Sequence, residues 1–206
     1  MNGVFITFEG CEGVGKSTQL RLLQEYLLST GQEAVFTREP GGTEIAEKIR
    51  DIILSTDTDI SPLVEAYLFA TARADHMDKV IIPALKAGKI VICDRFVDSS
   101  EAYQGSGRNL GLQTVEEINR LALQGVTPNC TIFIDMNPAT SWRKQNGRVV
   151  ENDRMELEAD EFHQKVYLGF KELSTRARYA SIVPQENKYA TSSSIIAALR
   201  QRGLIK

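Results

Sequence analysis

Cysteine and histidine are scarce in this chain. There are three cysteines, Cys11, Cys93 and Cys130, and two histidines, His76 and His163. No two cysteines form a C-x-x-C pair, and the histidines share no metal-ligand spacing with them, which argues against a disulfide framework and a structural zinc site. A basic excess is missing too. The formal charge is −3, whereas a general nucleic-acid binder carries surplus lysine and arginine to neutralise phosphates. No stretch approaches the roughly eighteen consecutive apolar residues that cross a bilayer. The first apolar run begins almost at once, leaving no room for the three parts of a secretory signal. Repeats, low-complexity segments and linkers are also absent. These absences predict one cytoplasmic domain with neither a membrane nor a nucleic acid as partner. With 206 residues, 42% hydrophobic and 25% charged, the chain suffices for one well-buried core.

What is present begins at Phe5. The run Phe5-Ile6-Thr7-Phe8-Glu9-Gly10-Cys11-Glu12-Gly13-Val14-Gly15-Lys16-Ser17-Thr18 holds Gly10-x-x-x-x-Gly15-Lys16-Ser17, the phosphate-cradling P-loop pattern, between a strand-like run and a leucine-periodic helix. Glycines there let backbone N–H groups converge on one concavity, the helix start adds the positive end of its dipole, Lys16 reaches outer phosphates, and Ser17 offers a hydroxyl to Mg2+. Residues 10–18 are therefore the expected ATP cradle.

Downstream, strands and helices alternate. A helix runs from Lys16 to Gly31, Ala34–Thr37 reads as a strand, Thr43 as a cap, and Ser61-Pro62 as a helix start whose run, continuous or broken, extends toward Gly88. Ile90–Cys93 and Thr131–Ile134 read as buried strands. Asp98 to Gly111 reads as a polar loop, followed by a helix over about 114–124. A long helix is expected from Asp153 to about Arg178, a last strand over 180–184 and a last helix over 195–201. Such alternation predicts a parallel sheet with helices on both faces, binding its ligands beyond the carboxyl ends of the strands.

Those ends carry Glu9-Gly10, Arg38-Glu39, Asp94-Arg95 and Asp135. Phosphoryl transfer needs a second phosphate grip facing the P-loop, and Arg38 and Arg95 suit it as two-pronged donors; the plainer alternative pairs them with Glu39 and Asp94. Asp94 is a candidate to hold Mg2+ through water. Phe69 and Arg73, four apart on one helical face, suit stacking on a base and bonding its edge, unless Phe69 is core and Arg73 exposed. Ser100, Tyr103 and Gln104 offer a hydroxyl, an aromatic wall and an amide. The basic segment Trp142–Arg154 suits a mobile lid over phosphates, or else a solvated loop, with Arg148 the leading arginine finger.

Together these motifs resemble the thymidylate kinase family. The resemblance spans the chain and rests on Phe8–Thr18, Thr37-Arg38-Glu39-Pro40-Gly41-Gly42-Thr43, Phe69-Ala70-Thr71-Ala72-Arg73, Asp94-Arg95-Phe96 and Ser99-Ser100-Glu101-Ala102-Tyr103-Gln104-Gly105. It implies a P-loop kinase fold of five parallel strands in a single domain over 1–206, with a small lid at about 139–156, and a homodimer packed through helices. It also implies ATP with Mg2+ as donor and dTMP as acceptor. Phe69 would stack on thymine, with Arg73, Ser100 and Gln104 along the base edge. Tyr103 would sit near the 2′ carbon, Glu12 at the sugar, and Arg38 and Arg95 on the acceptor phosphate. With Val14 rather than arginine in the P-loop, the chain resembles the bacterial type whose lid, here carrying Arg143, Arg148 and Arg154, supplies the catalytic cation beside Lys16 and Arg95. Two alternatives remain at this point: a kinase of another nucleoside or nucleoside monophosphate, and a P-loop switch without a small acceptor. Against the switch, Asn187-Lys188-Tyr189-Ala190 lacks the aspartate of a guanine-reading N-K-x-D element.

Overall fold

A computed structural model describes residues 2–57, 59–145, 154–155 and 157–206. Five parallel strands form one sheet: β1 (Val4–Glu9), β2 (Ala34–Arg38), β3 (Ile90–Asp94), β4 (Cys130–Ile134) and β5 (Tyr179–Ile182), in the order β2-β3-β1-β4-β5. The register sets Phe8 beside Asp94, and Asp94 beside Arg38, so one level of the sheet ends in these three residues. Because side chains alternate along a strand, each central strand feeds both faces. Ile6, Phe8, Ile92 and Ile132 pack on one face with Leu23, Leu27, Val166 and Phe170. Phe5, Val91 and Cys93 pack on the other with Met77, Ile81, Leu85 and Phe96.

The helices are α1 (Lys16–Ser29), α2 (Glu44–Leu54), α3 (Pro62–His76), α4 (Ile82–Lys86), α5 (Val97–Ser100), α6 (Leu112–Leu123), α7 (Pro138–Gln145), α8 (Asp160–Leu173) and α9 (Lys188–Gln201). Thr43 caps α2 by accepting from the Ala46 N–H at 3.1 Å, and Pro62 occupies the first turn of α3, where no donor is lost. A π-helical turn, Met77–Ile81, joins α3 to α4, so the run toward Gly88 is interrupted as allowed for.

Three expectations change. The stretch from Asp98 to Gly111 is mainly helical: α5 passes into a π-helical segment, Glu101–Gly107. Its residues look like loop residues because they are polar, yet Asp98, Ser99, Ser100, Glu101 and Gln104 are all buried. Polarity here serves internal hydrogen bonds rather than water. Next, α8 begins at Asp160, with Ala159 as its cap and Asp160 and Glu161 in its first turn beside the positive helix end. Leu157 and Glu158 form a turn and bend, while Asp153, the expected start of this helix, lies outside the described residues. Finally, α9 starts seven residues before the expected 195, at Lys188, capped by Asn187 accepting from the Tyr189 N–H at 2.8 Å.

Candidate active site

The P-loop occupies the turn from β1 into α1. Gly10 takes φ 140°, and a Cβ there would sit 2.8 Å from the Ile134 carbonyl oxygen. Gly15 takes φ 98° as the left-handed residue that opens α1. Only glycine meets both demands cheaply, the first by space and the second by conformation. Lys16 is buried in the concavity, its Nζ donating to the carbonyls of Gly10 at 3.0 Å and Cys11 at 2.8 Å. Burial, and after it the nearby Arg95, push the Lys16 ammonium down to about 8. Burial pushes the Cys11 thiol up to about 12, so this P-loop cysteine is an inert part of the packing.

Arg95 shares the Gly10 carbonyl with Lys16 as acceptor, and both line a cavity of about 280 Å³ together with Glu12, Gly13, Ser17, Arg38, Glu39, Arg50 and Asp94. Arg95 is one of three non-glycine residues among those described with positive φ, at 66°. Its N–H donates to Phe8 O at 2.9 Å. The guanidinium donates to Gly10 O at 3.0 Å, Ser99 Oγ at 3.1 Å, Glu12 Oε1 at 3.0 Å and Tyr103 Oη at 3.3 Å. The same Glu12 oxygen accepts from Tyr103 Oη, whereas Glu12 Oε2 lies 3.7 Å from His163 Nδ1 and makes no hydrogen bond. Burial alone would raise the Glu12 carboxyl; Arg95, Lys16 and the Tyr103 hydroxyl outweigh it and hold the group below its ordinary value. Below this layer Glu9 accepts from the Phe96 N–H at 2.8 Å and the Ser99 hydroxyl at 2.6 Å. Burial first, and the Asp98 carboxylate second, push Glu9 up to about 8.

The second cavity opens beside the first and shares Glu12, Glu39, Arg50 and Arg95 with it. Its remaining walls are Pro40, Leu54, Phe69, Ser99, Ser100, Tyr103, Gln104 and Met155. Arg73 stands behind this wall with 1% of its surface exposed. It donates to Glu39 Oε2 at 2.7 Å, to Ser100 Oγ at 3.3 and 3.2 Å, and to Asn119 Oδ1. The exposed-arginine alternative for Arg73 is therefore wrong, and Phe69 is part of the cavity wall, only partly buried. The simple ion pairs fail as well. Arg38 pairs with Glu47 at 3.0 Å and Arg95 with Glu12 at 3.0 Å, not with the adjacent Glu39 and Asp94. Glu39 is instead committed inward, to Arg73 and His76.

A divalent cation fits the first cavity by its donor chemistry. Ser17 and Asp94 both line it, and Asp94 Oδ1 is a buried oxygen without a hydrogen-bond partner. No group of three or more His, Cys, Asp or Glu able to hold a metal by itself exists among the described residues, which matches a cation shared with substrate phosphates rather than a dedicated protein cage.

Comparison with known proteins places the chain in a family. The family model described as thymidylate kinase matches residues 8–195. A thymidylate kinase of Thermoanaerobacter sp. (strain X514) is 46% identical over 173 residues, 84% of each chain. One of Pelobacter propionicus is 44% identical over 210 residues, covering 98% of this chain and 96% of the relative. The crystal structure of thymidylate kinase from Ehrlichia chaffeensis superposes with a TM-score of 0.78 at 33% identity, covering 97% of this chain and all of the other. The chain belongs to the thymidylate kinase family. It is an ATP-dependent nucleoside monophosphate kinase that converts dTMP to dTDP.

Within this thymidylate kinase framework, the structure gathers Gly10 through Thr18, Arg38, Asp94 and Arg95 at the carboxyl rim of the sheet. Phe69, Ser100, Tyr103 and Gln104 lie beside them. Arg154 does not join them: it donates to Glu65 Oε2 at 2.6 Å and to Ile53 O at 2.9 Å. Arg143 falls on α7, and Arg148 lies outside the described residues. Sequence reasoning missed Arg50, which lines both cavities and donates to Pro40 O at 2.9 Å, and it missed Glu65 and Asn119. A usable signal existed for Glu65. Glu65, Phe69, Arg73 and His76 follow i, i+4, i+8, i+11 along α3, so the helical face bearing the two proposed base contacts also bears a carboxylate.

Proposed function

We propose that the dTMP kinase reaction runs between the two adjoining cavities. ATP phosphates occupy the P-loop side, held by residues 10–18 and Lys16, and dTMP occupies the side bounded by Phe69, Ser100, Tyr103 and Gln104. The observation that carries this reading is Arg95. Its guanidinium touches the P-loop carbonyl of Gly10, the proposed sugar ligand Glu12 and the proposed sugar wall Tyr103 at once. A cation at that junction is placed to hold the acceptor phosphate against the donor and to spread the charge that develops on the transferring group. Arg38, 57% exposed at its side chain, is a second arm for the acceptor phosphate. The protein performs little covalent chemistry of its own: it aligns two anions, neutralises them and limits access of water.

Ser17, and through water Asp94, would hold Mg2+, which would supply positive charge to neutralise the donor phosphates. On the base side, Phe69 stacks on thymine while Ser100 and Gln104 address its edge, with Arg73 holding Ser100 from behind the wall. Tyr103 fills the space at the 2′ carbon, and Glu12 offers its free oxygen to the sugar. Arg148 supplies the further catalytic cation from the segment 139–156, the lid of a single domain. We also propose a cytoplasmic homodimer. Three buried free thiols suit a reducing compartment. The exposed apolar side chains Ile45 and Ile52 on α2 and Leu63, Val64 and Tyr67 on α3 suit a partner's helices.

A coupled ADP-release assay across acceptors tests the reading. Release is expected with dTMP well above dUMP, dCMP, dGMP or deoxythymidine, and close to none without acceptor. Acceptor-independent ADP formation, or no preference for dTMP, would overturn it.

A further inference from the structure

Outside the groups already given a role, the most heavily bonded carboxylate near the acceptor cavity is Glu65, in the first turn of α3. Its surface is 0% exposed. Oε1 accepts from Gln104 Nε2 at 2.9 Å and Arg108 Nε at 3.2 Å. Oε2 accepts from Arg108 Nη2 at 3.1 Å and Arg154 Nη2 at 2.6 Å. Arg108 is fixed in turn by Glu158 at 2.6 Å and by the Phe162 ring, 4.6 Å from its guanidinium carbon. The carboxylate therefore sits in a frame that leaves it little freedom to turn.

That rigidity matters for Gln104. A side-chain amide has a donor end and an acceptor end, and which end faces a ligand depends on what holds the other. Here Glu65, which does not line the acceptor cavity, takes the NH2 end, while Gln104 does line it. The opposite end, Gln104 Oε1, is buried and has no hydrogen-bond partner. A buried acceptor without a partner costs free energy until a donor reaches it.

We propose that Glu65 is a positioning residue for base selection: by holding the Gln104 NH2 group it commits the Gln104 carbonyl to the ligand, so the cavity favours a pyrimidine edge presenting a ring N–H over one presenting a lone pair. This rests on the reading that Gln104 faces the base. Thymine and uracil carry N–H at that ring position and cytosine a lone pair. A cytosine would face Gln104 Oε1 acceptor to acceptor, and a site with a committed hydrogen-bonding group discriminates strongly against such a mismatch. Flipping the amide would remove the mismatch, but only by turning its carbonyl onto a carboxylate that can only accept.

The test compares kcat/KM for dTMP and dCMP in wild type, Glu65→Gln, Gln104→Leu and the double variant. In Glu65→Gln the new amide can serve either end of Gln104, so the dTMP:dCMP ratio is expected to fall at least tenfold. In the Gln104→Leu background the same change should leave the ratio within about twofold. A ratio unchanged by Glu65→Gln, or equal losses for both acceptors, would overturn the proposal, since a merely structural role lowers both together. A wild type that does not prefer dTMP would defeat the underlying assignment of Gln104 instead.

A measurement on wild type serves if Glu65→Gln does not fold. In the dTMP complex, NMR should show the Gln104 side-chain amide protons unshifted from the free enzyme, and a hydrogen-bond coupling from the thymine N3–H to the Gln104 carbonyl. Amide protons that shift on binding and couple to the base would overturn the proposal.

Discussion

Arg95 shows what a single residue gives up to serve this site. A left-handed φ of 66° costs an arginine on the order of 1–3 kcal/mol, and the turn keeps it so that the guanidinium reaches Gly10, Glu12, Ser99 and Tyr103 together. Lys16 shares the Gly10 carbonyl with it, and Lys16→Ala is expected to lower kcat by several orders of magnitude with the fold intact, measured by steady-state turnover and thermal unfolding. Near-normal turnover would remove Lys16 from the mechanism. Glu9 makes a prediction about pH. Its carboxyl is raised from 4.5 to about 8 in the fold, so the folded protein holds a proton that the unfolded chain releases. That contribution is complete below about pH 4.5 and is lost as pH rises through about 8. Urea midpoints of wild type should therefore decline between about pH 5 and 8, and Glu9→Gln, which cannot ionise, should flatten that decline. Parallel profiles for the two proteins would contradict it.

At the scale of elements, legibility in the sequence followed the direction in which polar side chains point. Strands β1 to β4 and helix starts such as Thr43 and Ser61-Pro62 were readable because apolar runs and caps are local signals. The segment after Arg95 was not, because a polar string reads as solvent-facing while this one is buried. Its charges are spent internally: Arg178 donates to Asp98 at 2.8 and 2.5 Å, and Arg176 donates to Glu101 at 2.5 Å, fastening α5 and the π-helical segment to the chain entering β5. Glu65 and Asn119 escaped notice for the same reason, being single polar residues on buried helix faces. The P-loop, Arg38, Asp94, Arg95 and the Phe69–Arg73 pair were visible because the end of a parallel strand, or a four-residue helical spacing, marks a position whatever its partners. Asp98→Asn tests the fastening. Asp98 is fully buried, but Arg178 stays 15% exposed and keeps its bond to Thr131, so the expected loss is about 1–3 kcal/mol. Urea unfolding should show a lower midpoint with an unchanged slope; a loss below about 1 kcal/mol would mean the bridge is dispensable.

For the whole molecule, the arrangement is a sheet with the P-loop and Arg95 at its carboxyl rim and exposed apolar side chains along one flank of α2 and α3. Tyr67 is 55% exposed and Leu63 45% exposed, one turn apart on α3. If this flank is the dimer face, sedimentation equilibrium should give the mass of two chains for wild type, and Tyr67→Glu should weaken association at least tenfold, about 1.4 kcal/mol. A monomeric wild type would rule the dimer out. The central claim, that Arg95 joins the donor and acceptor halves through the acceptor phosphate, is tested most directly by comparing wild type and Arg95→Ala in two measurements on the same preparation: kcat/KM for dTMP at saturating ATP, and ATP binding without dTMP. The predicted result is a loss of on the order of a thousandfold or more in kcat/KM with ATP affinity within about threefold. Near-normal turnover, or a matching collapse of ATP binding, would contradict it.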